Sequence, residues 1–122
     1  MSEKSTNISD AELALMKVLW DAGEALSAQQ VSASLQDKDW KYSTVATLFS
    51  RLVDKNAVSF EKRGRFYYYT PLISEKEYKA EQTRTLVRKL YNGSVKNLVV
   101  SLFENKQMTK ADMEEIKQKF DL

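Results

Sequence analysis

Residues 40–55 read WKYSTVATLFSRLVDK, and the two faces of one helix are written in them. Val45, Leu48, Phe49 and Leu52 fall at i, i+3, i+4 and i+7, the spacing of an apolar stripe turned toward a core. The opposite face carries Ser43, Thr44, Ala46, Thr47, Ser50 and Arg51, with no acid before Asp54. An ordinary solvent face would use Glu and Lys, which favour helix and solubility. Small and hydroxylated side chains instead let the helix axis approach another surface closely. Their hydroxyls can bond phosphates or base edges, and Ala and Thr methyls suit the thymine methyl.

Downstream, the pattern changes to period 2. Val58–Lys62 and Arg65–Thr70 alternate around Arg63-Gly64, which reads as a hairpin turn, and Pro71 closes the second strand. Alternation in this register sends Val58, Phe60, Phe66 and Tyr68 to the core. Lys62, Arg63 and Arg65 collect at the tip, where they can hold phosphates or reach a minor groove. The run Tyr67-Tyr68-Tyr69 reads as packing residues on both faces of the hairpin rather than as a stacking platform for single strands.

Upstream, two helix starts are spelled out. Ser9-Asp10-Ala11-Glu12 and Ser27-Ala28-Gln29-Gln30 are capping boxes, and Gly23 ends the first helix. A polar turn over Gln36–Lys41 leads to the third helix, which begins near Ser43. Helix, helix, helix and hairpin in this order, with a basic tip, is the arrangement of a winged helix-turn-helix. The third helix takes the recognition position and the hairpin the wing.

Three more helices follow, opened by Ser74-Glu75-Lys76-Glu77, by Ser94 and by Thr109-Lys110-Ala111-Asp112. The last two are about three turns long, a length at which isolated helices are marginal in water. Leu90, Val95, Leu98, Val99, Leu102, Phe103, Met113, Ile116 and Phe120 exceed what their own chain can cover. Pairing with the same segment of a second chain would bury them in an isologous homodimer. The expected architecture is therefore mainly α with a small β-hairpin. It comprises a winged-helix DNA-binding domain over residues 1–72 and a helical dimerisation domain over 73–122.

Composition narrows the chemistry. The 122 residues contain no Cys and no His, which removes disulfides, thiolate nucleophiles, His-based triads and ordinary zinc sites. GxGxxG, P-loop and EF-hand motifs are missing, so no enzyme activity, metal or cofactor is expected. With no apolar run near the ~18 residues of a membrane span and no signal-type N-terminus, a cytoplasmic location is expected. The net charge of +2 hides an asymmetry: −4 over residues 1–40, +7 over 41–96 and −1 over 97–122. A basic middle third implies an anionic partner, double-stranded DNA above all. An acidic protein docking on the same helix and wing is the alternative.

The stretches ISDAELALMKVLW, KDWKYSTVATLFSRLVDKNAV and EKRGRFYYYTPL, with NLVVSLFEN in the helical tail, carry a resemblance that covers almost the whole chain. It resembles the BlaI/MecI/CopY family of bacterial transcriptional repressors, which control penicillinase, methicillin-resistance or copper-transport genes. The resemblance implies a dimer on a palindromic operator, with DNA contacts at Lys41, Ser43, Thr44, Ala46, Thr47 and Arg51. Ser43 and Ala46 are shorter than side chains common at those places, so no operator sequence carries over. Copper-responsive members bind their metal through a cysteine-rich tail, and these residues hold no cysteine. Antibiotic-responsive members are cut by a membrane sensor-protease in the dimerisation helix, typically at an Asn–Phe bond. The corresponding bond here is Ser101–Leu102.

Overall fold

A computed structural model describes residues 7–121 of the chain. Its elements run α1 (Asp10–Ala22), β1 (Leu26–Ser27), α2 (Ala28–Ser34), a 3₁₀ turn (Gln36–Lys38) and α3 (Tyr42–Asp54). There follow β2 (Val58–Arg63), β3 (Phe66–Pro71), α4 (Glu75–Tyr91), α5 (Val95–Glu104) and α6 (Lys110–Phe120).

Local chemistry sets the helix starts. The Glu12 N–H donates to Ser9 Oγ at 3.2 Å, and the Ser9 N–H donates to Glu12 Oε1 at 2.9 Å. The same reciprocal pair joins Ser27 to Gln30, Ser74 to Glu77 and Thr109 to Asp112, while the Ser94 hydroxyl accepts from the Asn97 N–H. Each box satisfies two backbone donors that a helix start leaves without partners. α1 stops at Gly23, whose φ of 69° costs a glycine least.

Two features depart from the sequence reading. Leu26–Ser27 forms a short strand on β3, so the sheet has three strands in the order β1-β3-β2, all antiparallel. The hairpin also turns one residue later than expected. Arg63 pairs with Phe66, leaving Gly64-Arg65 as the loop, and Gly64 takes a φ of 65° at the first central position.

The facing of β3 is corrected too: Phe66 and Tyr68 were expected in the core with Val58 and Phe60, but residues paired across a two-residue loop share a face. Phe60 lies opposite Tyr69 and Lys62 opposite Tyr67, so Val58, Phe60, Lys62, Tyr67 and Tyr69 share one face. Phe66 and Tyr68 occupy the other, with Glu61 and Arg63. Tyr69, not Tyr68, meets the helical core: its ring stacks on Phe49 at 4.0 Å and 10°. Phe60 is largely exposed rather than buried.

The chain forms two compact units that divide between Lys79 and Ala80, inside α4. In the first, Leu15, Met16 and Leu19 of α1, Val31 of α2, and Val45, Leu48, Phe49 and Leu52 of α3 make one buried cluster with Ala57 and Val58. Burying each such large apolar side chain contributes about 1.5–3 kcal/mol. Trp20 anchors the end of the hairpin by donating from Nε1 to the Ile73 carbonyl at 2.9 Å. In the second unit the Tyr91 hydroxyl donates to Ser101 Oγ at 3.1 Å, tying α4 to α5. Val87 is the only apolar side chain fully buried among the described residues after Lys79.

Candidate nucleic-acid interface

The core-facing stripe of α3 leaves its other face uncovered. Ser43, Thr44, Thr47, Ser50 and Arg51 are exposed, and Ala46 is half-buried. α3 begins at Tyr42, with Lys41 as its N-cap and no side-chain hydrogen bond closing that end. Every other α-helix start has such a bond. The first turn of α3 contains no acid, so its free backbone N–H groups and the Lys41 ammonium present positive charge.

The wing cations part company. Lys62 lies on the same face as Tyr67, its Nζ 5.8 Å from that ring's centroid. Arg63 lies on the other face, 4.9 Å over the Tyr68 ring, and donates to Glu61 Oε1 at 3.1 Å. Arg65 stands in the loop itself, fully outside the ladder. Lys41, Arg51, Lys62 and Arg65 form no ion pair among the described residues, whereas Arg63 is partly neutralised by Glu61. The sequence reading treated the three tip cations as equivalent. Strand alternation sends Lys62 and Arg63 to opposite faces, and the later turn leaves Arg65 in the loop.

The far end of α3 is held by an ion pair. Lys55, its C-cap, donates from Nζ to Glu12 Oε1 at 2.5 Å and to the Asn7 carbonyl at 2.6 Å. Burial pulls the Glu12 carboxyl up, but the Lys55 ammonium and the Ser9 N–H outweigh it and hold the pKa below the ordinary value of 4.5. The Tyr69 phenol is pushed up, chiefly by burial and then by its neighbours Tyr42 and Tyr67. Glu12 was legible as a cap, but its partner, 43 residues away, was not.

In the second unit, none of the residues assigned to dimerisation is fully buried. Leu90, Val95, Phe103, Ile116 and Phe120 are exposed, and Leu98, Val99, Leu102 and Met113 are half-buried. Leu86 and Val100 are exposed as well and were not among the residues assigned to dimerisation. Leu86 stands one helical turn before Leu90, which was the signal for it. The Ser101–Leu102 bond lies inside α5, where the Ser101 carbonyl accepts from the Asn105 N–H at 3.0 Å and from Asn105 Nδ2 at 2.9 Å. Among the described residues no group of three or more acidic side chains is placed to hold a metal ion, and no helix is long and apolar enough to cross a membrane.

Comparison with known proteins finds relatives over nearly the whole chain. The penicillinase repressor family model matches residues 8–121. A penicillinase repressor of Bacillus licheniformis is 31% identical over 116 residues, covering 95% of this chain and 91% of that protein. The methicillin resistance regulatory protein MecI of Staphylococcus aureus is 26% identical over 117 residues, covering 96% and 95%. The solution structure of monomeric Bacillus licheniformis BlaI in complex with the blaP half-operator superposes with a TM-score of 0.52 at 37% identity. It covers 63% of this chain and 94% of that one. The chain belongs to the penicillinase repressor family.

Proposed function

We propose that the protein is a homodimeric, sequence-specific DNA-binding transcriptional repressor acting in the cytoplasm on a palindromic operator. The observation that carries this reading is the uncovered, acid-free face of α3, with Lys41, Arg51, Lys62 and Arg65 forming no ion pair among the described residues. Membership of the family supports it, as does the half-operator bound by the related BlaI domain.

In this reading α3 enters the major groove. The hydroxyls of Ser43, Thr44 and Thr47 donate to or accept from base edges, and the methyl of Ala46 meets thymine. Lys41, Arg51, Lys62 and Arg65 hold phosphates and fix register, with Arg63 contributing less because Glu61 competes for it. The helical tail pairs two chains about a two-fold axis, so each winged helix reads one half-site. Occupancy excludes polymerase, and no reaction is catalysed. The names of the relatives point to antibiotic-resistance genes as the class regulated.

Selection from a random duplex pool tests the reading. It should enrich an inverted repeat whose half-sites lie on one face of the duplex, about 34–36 Å or a multiple apart. A pool that returns no enriched site contradicts it and favours docking of an acidic protein on the same surface.

A further inference from the structure

The face of the hairpin that looks toward α3 carries an aromatic surface which the core does not consume. Phe60 is 52% exposed and Tyr67 45% exposed. The two rings meet edge to face at 5.2 Å, and Phe60 lies 6.3 Å from Tyr69, whose other neighbour is Phe49 of α3. The rings therefore run without a break from the recognition helix out along the wing. Tyr42, at the first position of α3, is also half exposed and close enough to raise the Tyr69 phenol.

A bare aromatic patch on an edge strand invites association, and edges are usually blunted with charge. Here β2 is the edge strand, yet two of its three inward side chains, Val58 and Phe60, are apolar. The third, Lys62, is the charge that stands beside the patch. Its face carries no acid, because Glu61 points the other way. The patch connects through Tyr69 to Phe49 in the core stripe of α3, and Lys62 stands beside Tyr67. An apolar strip bordered by a cation complements a sugar–phosphate strand, whose deoxyribose faces are apolar and whose phosphates lie beside them.

We propose that Phe60 and Tyr67, bordered by Lys62, seat the DNA strand that passes between the major groove held by α3 and the adjacent groove reached by the wing. This inference rests on the repressor reading above. The rings pack on deoxyribose, the Tyr67 hydroxyl donates to a phosphate oxygen, and Lys62 supplies charge. Because the contact is to sugar and backbone, it strengthens binding to any duplex and carries little base preference.

The test uses the full-length chain, the duplex recovered by selection and a scrambled duplex, each titrated at two salt concentrations. Phe60→Ala and Tyr67→Ala should each weaken both duplexes by roughly five- to twentyfold, the effect of losing half a ring's apolar contact. Their salt dependence should stay that of the wild type, while Lys62→Ala should flatten the slope by about one for each protomer. Phe60→Lys should steepen that slope by about one for each protomer, a gain that loss of folding cannot mimic. Affinities of the Ala variants within about twofold of wild type, or an unaltered slope for Phe60→Lys, would overturn the proposal and leave the repressor reading standing. A wild-type protein that binds neither duplex would overturn both.

Discussion

Glu12 holds two structures at once. It closes the capping box of α1 through Ser9 and accepts the Lys55 ammonium, so one carboxylate, 2% exposed, joins the start of α1 to the end of the recognition helix. Its pKa lies below 4.5, so the pair contributes full stability above that value and loses it as pH falls through the depressed pKa. Lys55→Met leaves the carboxylate buried with only its Ser9 contact and should destabilise the fold by about 2–4 kcal/mol at neutral pH. Without the ammonium, burial raises the Glu12 pKa, so the variant accepts a proton earlier on acidification. The gap between variant and wild type should therefore narrow as pH falls through 4.5, and urea unfolding at several pH values measures it. A gap that widens on acidification would contradict this account. The cap was legible because its partners lie three residues apart; the ion pair depends on where two distant segments meet.

At the scale of elements, helices were more legible than strands, and the physical reason is local. Every α-helix start except that of α3 is written by a hydroxyl and an acid or amide at i and i+3, and each helix's apolar residues recur at one period. Phe66-Tyr67-Tyr68-Tyr69-Thr70 offers no such contrast, since successive aromatic residues suit either face of a strand equally. Its register is settled by Gly64 opening the turn and by the stacking of Tyr69 on Phe49, a contact between strand and helix. Sending Phe60 and Tyr68 to the core together hid the exposed Phe60–Tyr67 surface. Two truncations distinguish the two facings of β3. Tyr69→Ala should cost about 2–4 kcal/mol through lost packing on Phe49, whereas Tyr68→Ala should cost about 1 kcal/mol or less. Denaturant titration compares them, and the reverse ranking would mean the strand is displaced by one residue.

For the whole molecule, apolar surface is distributed unevenly between the two units. Leu90, Val95 and Phe120 are 66%, 61% and 63% exposed, and Leu86, Val100, Phe103 and Ile116 join them. That much exposed apolar surface on short helices calls for a partner. In the proposed homodimer a second copy of the same segment supplies one by symmetry. Replacing Ile116 and Phe120 together with Asp should give a monomer at concentrations where the wild type sediments as a dimer. A wild type that sediments as a monomer at high concentration would contradict the two-fold arrangement. The account stands or falls on recognition of DNA, and the most direct measurement is titration of the selected duplex against a scrambled one across salt concentrations. With about eight phosphate contacts per dimer, the slope of log K against log salt should lie near −7. The selected site should be preferred by about 10³-fold or more. Weak binding of equal strength to both duplexes, with a shallow slope, would contradict the central claim.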